Sequence, residues 1–171
     1  MLDNPSQIRT ALIAMGAPVG LTYMLDTSVL TKLGRGVRDK QIPAGQVAQA
    51  VFDAFTPSGD ELFDLEHALQ RVALFQGCVK HTQQALDEQV VELSALREQV
   101  HNPQDSRVSH AQKKVDTLHE ELLYWSDKLD QAQLDAQYLS DPWALSESAG
   151  IVDATVLVSR FADPDYQGVT P

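Results

Sequence analysis

Residues 108–139, VSHAQKKVDTLHEELLYWSDKLDQAQLDAQYL, decide the fold. Within them Val108, Ala111, Val115, Leu118, Leu122, Trp125, Leu129, Ala132, Ala136 and Leu139 recur at alternating spacings of three and four, with no polar interruption. That average of 3.5 is the seam of a long helix packed along another helix. Upstream, Leu65, Val72, Val79, Leu86, Leu93 and Val100 lie seven apart, with Leu62, Leu69, Gln76, Gln83, Val90 and Arg97 at the alternate seam positions. Between the runs, Asn102-Pro103-Gln104-Asp105-Ser106 stops one helix and starts the next. Two long seams on a short connection predict an all-α chain built on an antiparallel hairpin of helices over 60–101 and 107–140.

A turn centred near Gln104 sets Leu86 opposite Leu122, Leu93 opposite Val115 and Val79 opposite Leu129. Gln83 then falls opposite Trp125, and Gln76 opposite Ala132. Polar seam residues set register at a cost in stability; the alternative is that the glutamines turn outward or face another element.

The remaining 1–57 reads as three short amphipathic helices. Asn4 and Pro5 open the first, which carries Ile8, Leu12 and Met15 and ends at Gly16-Ala17-Pro18. The second spans 21–33 with Leu21, Met24, Leu25, Val29 and Leu33, and stops at Gly34; the third follows Pro43 with Val47, Ala50, Val51, Ala54 and Phe55. Ser58 or Asp60 is placed to cap the long helix after them. Short helices of this kind need a surface to pack on. The first long helix offers one at 72–79, where Ala73, Leu74, Phe75 and Cys78 lie off the seam, so the three are expected at the open end of the hairpin. A second apolar excess, Leu123 and Tyr124, lies nearer the tip and is expected to face a neighbouring subunit, the alternative being packing within the chain.

The regions are therefore 1–57, the hairpin 58–141 and a C-terminal segment 142–171, expected to form one folded unit. From 151 to 161, Ile151, Ala154, Val158 and Phe161 suit a helix, whereas Val152, Ala154, Val156 and Val158 suit a strand that would add to another molecule. The tail beyond, with Tyr166, has too few apolar residues to fold alone and is expected to be loose or laid on a partner. Leu123, Tyr124, Val156, Val158, Phe161 and Tyr166 are the expected interaction residues.

Composition bounds the chemistry. The 171 residues are 43% apolar, enough for a core, and contain no apolar run of the ~18 residues that a membrane span needs. Met1-Leu2-Asp3-Asn4-Pro5 has neither the basic flank nor the apolar block of a secretory signal, and a cytoplasmic or virion setting is expected. Cys78 is the only cysteine, with no cation beside it, and reads as a small buried thiol. Residues 1–45 carry a net charge of +2, which leaves −13 on the rest of a chain that totals −11. An acidic hairpin repels nucleic acid and suits a basic partner.

Asp64-x-x-His67 and Asp116-x-x-His119 have the spacing of helical di-metal sites. The register separates them: Asp116 faces position 92, ~42 Å along the helix from Asp64. No HExxH, GxxxxGK[ST], GxGxxG or GxSxG pattern is present, so neither catalytic, cofactor-binding nor metal residues are assigned. Lys32, Arg35, Arg38 and Lys40, with Gly34 and Gly36, form a basic cluster able to meet phosphates. The acidic balance elsewhere favours a plainer reading, a flexible interhelix loop whose cations pair with the acidic hairpin of the same or a neighbouring subunit, and no clear helix-turn-helix is read in 1–45.

In plan, with short N-terminal helices, a long helical hairpin and an extended C-terminus, the whole chain resembles small phage proteins of the virion or of the packaging and neck machinery. The likeness is one of architecture and rests on no diagnostic motif. It implies a non-enzymatic assembly subunit that binds copies of itself or other protein subunits. A likeness to phage small terminase subunits would instead assign DNA binding to 1–45, and a third reading is an acidic adaptor for a basic protein.

Overall fold

The computed structural model describes residues 4–55, 65–102 and 104–140. Every regular element among them is helical: α1 (Pro5–Ala14), α2 (Val19–Tyr23), α3 (Thr27–Arg38), a single 3-10 turn (Ala44–Gln46), α4 (Val47–Asp53), α5 (Leu65–Gln99) and α6 (Ser106–Ser140). The two long helices pack together; of the first seam Leu86 and Leu93 are buried, whereas Leu65, Leu69 and Val90 are exposed. The candidate caps Ser58 and Asp60, and all of 142–171 with Val156, Val158, Phe161 and Tyr166, lie outside the described residues.

The chain divides into two compact units: Met1–Thr56 with Gln76–Ser126, and Pro57–Phe75 with Asp127–Pro171. In the first, Leu93, Val108 and Ala111 form a buried cluster with Leu96, Val100 and Val115 against it, which agrees with the expected register of Leu93 and Val115. Arg97 donates to Gln112 Oε1 at 2.7 Å across the same pair of helices. Asp105 caps α6 by accepting from the Arg107 backbone N–H at 2.9 Å, and the Arg107 guanidinium holds the Asp105 carboxyl below its ordinary range. In the second unit the buried residues are mostly small, Ala68, Ala132 and Ala136, together with Tyr138 and with Asp135, which accepts from Gln131 Nε2 at 2.9 Å.

The N-terminal region departs from expectation in three ways. The helix expected over 21–33 is two helices, because Thr22 and Tyr23 end one and Asp26 starts the next after Met24-Leu25. The second of these does not stop at Gly34 but runs through Gly34 and Gly36 to Arg38. A Cβ at Gly34 would meet Ile8 Cγ2 at 2.9 Å, and one at Gly36 would meet Ile42 Cδ1 at 2.7 Å, so these glycines serve close packing rather than termination. Thirdly, the surface expected over 72–79 is used only in part: Gly20 of α2 lies on the Cys78 backbone and Met24 against Gly77, whereas Ala73 is exposed.

The end of α1 follows its sequence signals. Gly16 takes φ +93, Gly16 N–H donates to Ile13 O at 2.9 Å and Ala17 N–H donates to Leu12 O at 3.1 Å, a Schellman closure. Gly20 has a different constraint: a Cβ there would lie 2.5 Å from the Cys78 carbonyl oxygen and 2.9 Å from Cys78 Cα, both backbone atoms of α5. Helix α2 can only lie on α5 where it carries no side chain. Gly20→Ala is therefore expected to lower stability by about 3 kcal/mol in urea denaturation, whereas Gly45→Ala, with nothing within 4 Å, raises it by about 0.5 kcal/mol.

Candidate functional site

The densest polar arrangement in the first unit is built around Glu121 of α6. Its Oε1 accepts from the Gly20 N–H at 2.9 Å, from Trp125 Nε1 at 2.9 Å and from the Thr82 hydroxyl at 3.3 Å. Its Oε2 accepts from the Val19 N–H at 3.1 Å. Val19 and Gly20 begin α2, whose N-cap is Pro18, a residue with no side-chain acceptor to offer the free amides. Glu121 supplies that acceptor from another helix and adds a favourable charge at the positive end of α2.

The surroundings of this carboxylate are packed. Thr82 and Cys78 are fully buried and Trp125 is 2% exposed. Burial and the Glu121 charge push the Cys78 thiol up to about 12, so it stays protonated and is a poor nucleophile. Gln83, expected beside the Trp125 indole, is exposed and donates to Asp87 at 2.8 Å; the indole's partner is Glu121. Gln76 is exposed too, so the outward reading of the polar seam residues applies to both. Nothing in the sequence singles out Glu121 from the other acidic residues except Trp125 four positions on, which places carboxylate and indole on one helix face.

Beside this node Tyr23 stacks on His81 with ring centroids 4.8 Å apart and planes at 14°, and the Arg9 guanidinium lies 5.6 Å from the Tyr23 ring centre. Burial, then the charges of Lys80 and Arg9, hold His81 below its ordinary value.

Two surfaces remain open. On one, Phe52 of α4 and Tyr124 flank the buried Trp125, with ring centroids 6.3 and 4.8 Å from it. Phe52 is 37%, Tyr124 47% and Leu123 59% exposed. The other is the outer face of α3, where Lys32, Arg35 and Arg38 are all exposed, with Lys40 just beyond. The expected interhelix loop is therefore a helix, and among the described residues of this one chain Arg38 bonds its neighbour Asp39 at 3.1 Å while no ion pair engages Lys32, Arg35 or Lys40.

No described helix is long and apolar enough to cross a membrane, and among the described residues no three His, Cys, Asp or Glu side chains cluster to hold a metal ion. Asp64 of the spaced Asp–His pair lies outside the described residues. A hollow of ≈ 150 Å³ lined by Gln41, Ile42, Gln46, Gln49, Ala50 and Asp53 is open to solvent, and its one carboxylate is engaged by Gln49 at 2.8 Å. The arrangement is that of a helical hairpin protein with docked N-terminal helices. No protein-family model, curated protein or solved structure was found to match the chain.

Glu121→Gln keeps the shape but removes the charge and turns an amide toward at least one donor. It is expected to cost about 2 kcal/mol and to speed alkylation of Cys78 by a thiol reagent ~30-fold, since both report the loosening of α2. Protonation gives a second test. Because His81 is held low in the fold, the unfolded chain binds more protons near and below its ordinary value of 6.5. Its contribution is complete above that value and is lost as pH falls through the folded one. The urea midpoint should drop between about pH 7.5 and about pH 5.5 by more in the wild type than in His81→Phe, which keeps the stack and cannot titrate.

Proposed function

We propose that this chain is a non-enzymatic assembly subunit that forms a homo-oligomer or takes its place in a larger particle, such as a phage virion or its head–tail neck. The observation that carries the reading is the apolar surface on α6: Leu123 and Tyr124 are 59% and 47% exposed beside the buried Trp125, and Phe52 continues the surface from α4. Adjoining exposed aromatic and leucine side chains on a helical scaffold suit a protein partner better than water. The occupant proposed is a second copy of the chain. Its net charge of −11 disfavours self-association through charged surface, so apolar contact has to supply the free energy.

Light scattering coupled to size exclusion at micromolar concentration is expected to show a defined multimer. Leu123→Glu with Tyr124→Glu should shift it toward the monomer by at least tenfold in dissociation constant while the thermal midpoint of the monomer stays within a few degrees, because both positions are exposed. A wild-type monomer at that concentration would contradict the proposal, as would a multimer indifferent to the double substitution.

A further inference from the structure

The basic face of α3 is independent of the apolar surface and has a different chemistry. Lys32, Arg35 and Arg38 follow at intervals of three, so on a helix of 3.6 residues per turn they fan across an arc of about 120°. Ser28 lies on the same exposed side, while Leu30, Leu33, Gly34 and Gly36 face inward. Ile8 of α1 packs against Gly34, which holds α3 on its neighbour with the cations outward.

Three further observations say what such a face fits. The cations are not spent within the fold, since among the described residues Arg38 alone of the four makes an ion pair, with adjacent Asp39. Lys40 sits at φ 56, a left-handed conformation in which glycine is strain-free; a lysine there keeps a charge at a conformational cost of order 1 kcal/mol. Finally α2, the three residues Met24-Leu25-Asp26 and α3 follow in the order of a helix-turn-helix, in which the second helix enters the major groove with its N-terminal residues toward the base edges. Between the N-cap Asp26 and Asp39 the outward residues run from a hydroxyl at Ser28 through lysine to two arginines, all hydrogen-bond donors, with no carboxylate among them.

We infer that the outer face of α3 binds the phosphate backbone of duplex DNA. The groove of B-form DNA, ~12 Å wide, admits one helix, and the three cations of α3 with Lys40 would meet its flanking phosphates. Four contacts per chain make weak binding, and the acidic remainder weakens it further; several copies on one duplex would add up.

Fluorescence anisotropy with the full-length chain and a labelled mixed-sequence duplex of about 24 base pairs, two helical turns, tests this directly. Neutralising three to four phosphates gives a log–log salt slope of about −3, so the apparent affinity should fall ~60-fold between about 50 and about 200 mM salt. Arg35→Gln with Arg38→Gln should reduce the slope by about two and weaken binding at least tenfold, while the circular dichroism melt is unchanged and Lys113→Gln with Lys114→Gln on α6 has no effect. Absence of salt-dependent binding would overturn the inference, and so would binding that survives the arginine pair but not the lysine pair. Competition by polyglutamate as strong as by unlabelled duplex would overturn it in favour of an acidic protein partner, including a second copy. Failure here leaves the multimer untouched, because the Leu123 and Tyr124 test does not involve α3.

Discussion

The first unit depends on one carboxylate. Glu121 receives two backbone amides from the start of α2, the indole of Trp125 and the hydroxyl of Thr82, and so ties α2, α5 and α6 at a single point. A helix of five residues has almost no stability of its own, and Pro18 before it leaves its first amides without a local acceptor. The hydrogen bonds of α2 are completed only by docking. Removing either partner therefore unmakes both, which is a sharper requirement than apolar contact alone imposes.

The steric constraint at Gly20 and the polar one at Glu121 act together. Without a side chain at 20, the α2 backbone comes close enough to Cys78 and Thr82 for its amides to reach a carboxylate on the far helix. The same closeness buries the Cys78 thiol beside a negative charge, which explains its suppressed acidity without any catalytic purpose. Met24 extends the fit by lying where a side chain at Gly77 would otherwise stand. Specificity of docking here comes from absent side chains as much as from those present.

The hairpin was legible in the sequence because a seam at period 3.5 survives any choice of surface residues, and the Leu93–Val115 register followed from locating one turn. The N-terminal region was legible only in part. Asp26-Thr27-Ser28 is a helix start, but it lies inside an apolar stripe that reads equally well as one continuous helix. Gly34 and Gly36 carry the usual meaning of a stop, and nothing local says that Ile8 and Ile42 occupy the space beside them. Gln83 was misplaced because seam arithmetic assigns a facing position without knowing that Trp125 finds its acceptor four residues back along its own helix. Most of the Glu121 site was invisible for a different reason: beyond Trp125, its donors are Thr82 on the other long helix and the Val19 and Gly20 amides about a hundred positions away.

What the fold does to charge is the less expected result. A chain this acidic would ordinarily use its few cations to relieve repulsion, and Arg107 does so for Asp105 at the tip. Helix α3 does not. Its glycines turn the apolar side to α1 and Ile42, and that orientation directs Lys32, Arg35 and Arg38 outward as a consequence of packing. Substitutions at Gly34 or Gly36 would therefore disturb the basic face without touching a cation, because rotating α3 to make room for a Cβ would swing all three away together. The apolar surface on α6 is governed differently, by how far α4 covers Trp125, and Phe52 stops at its edge. Two surfaces of opposite character thus rest on one docked set of helices, each fixed by a separate steric boundary, so either can be altered while the other keeps its shape.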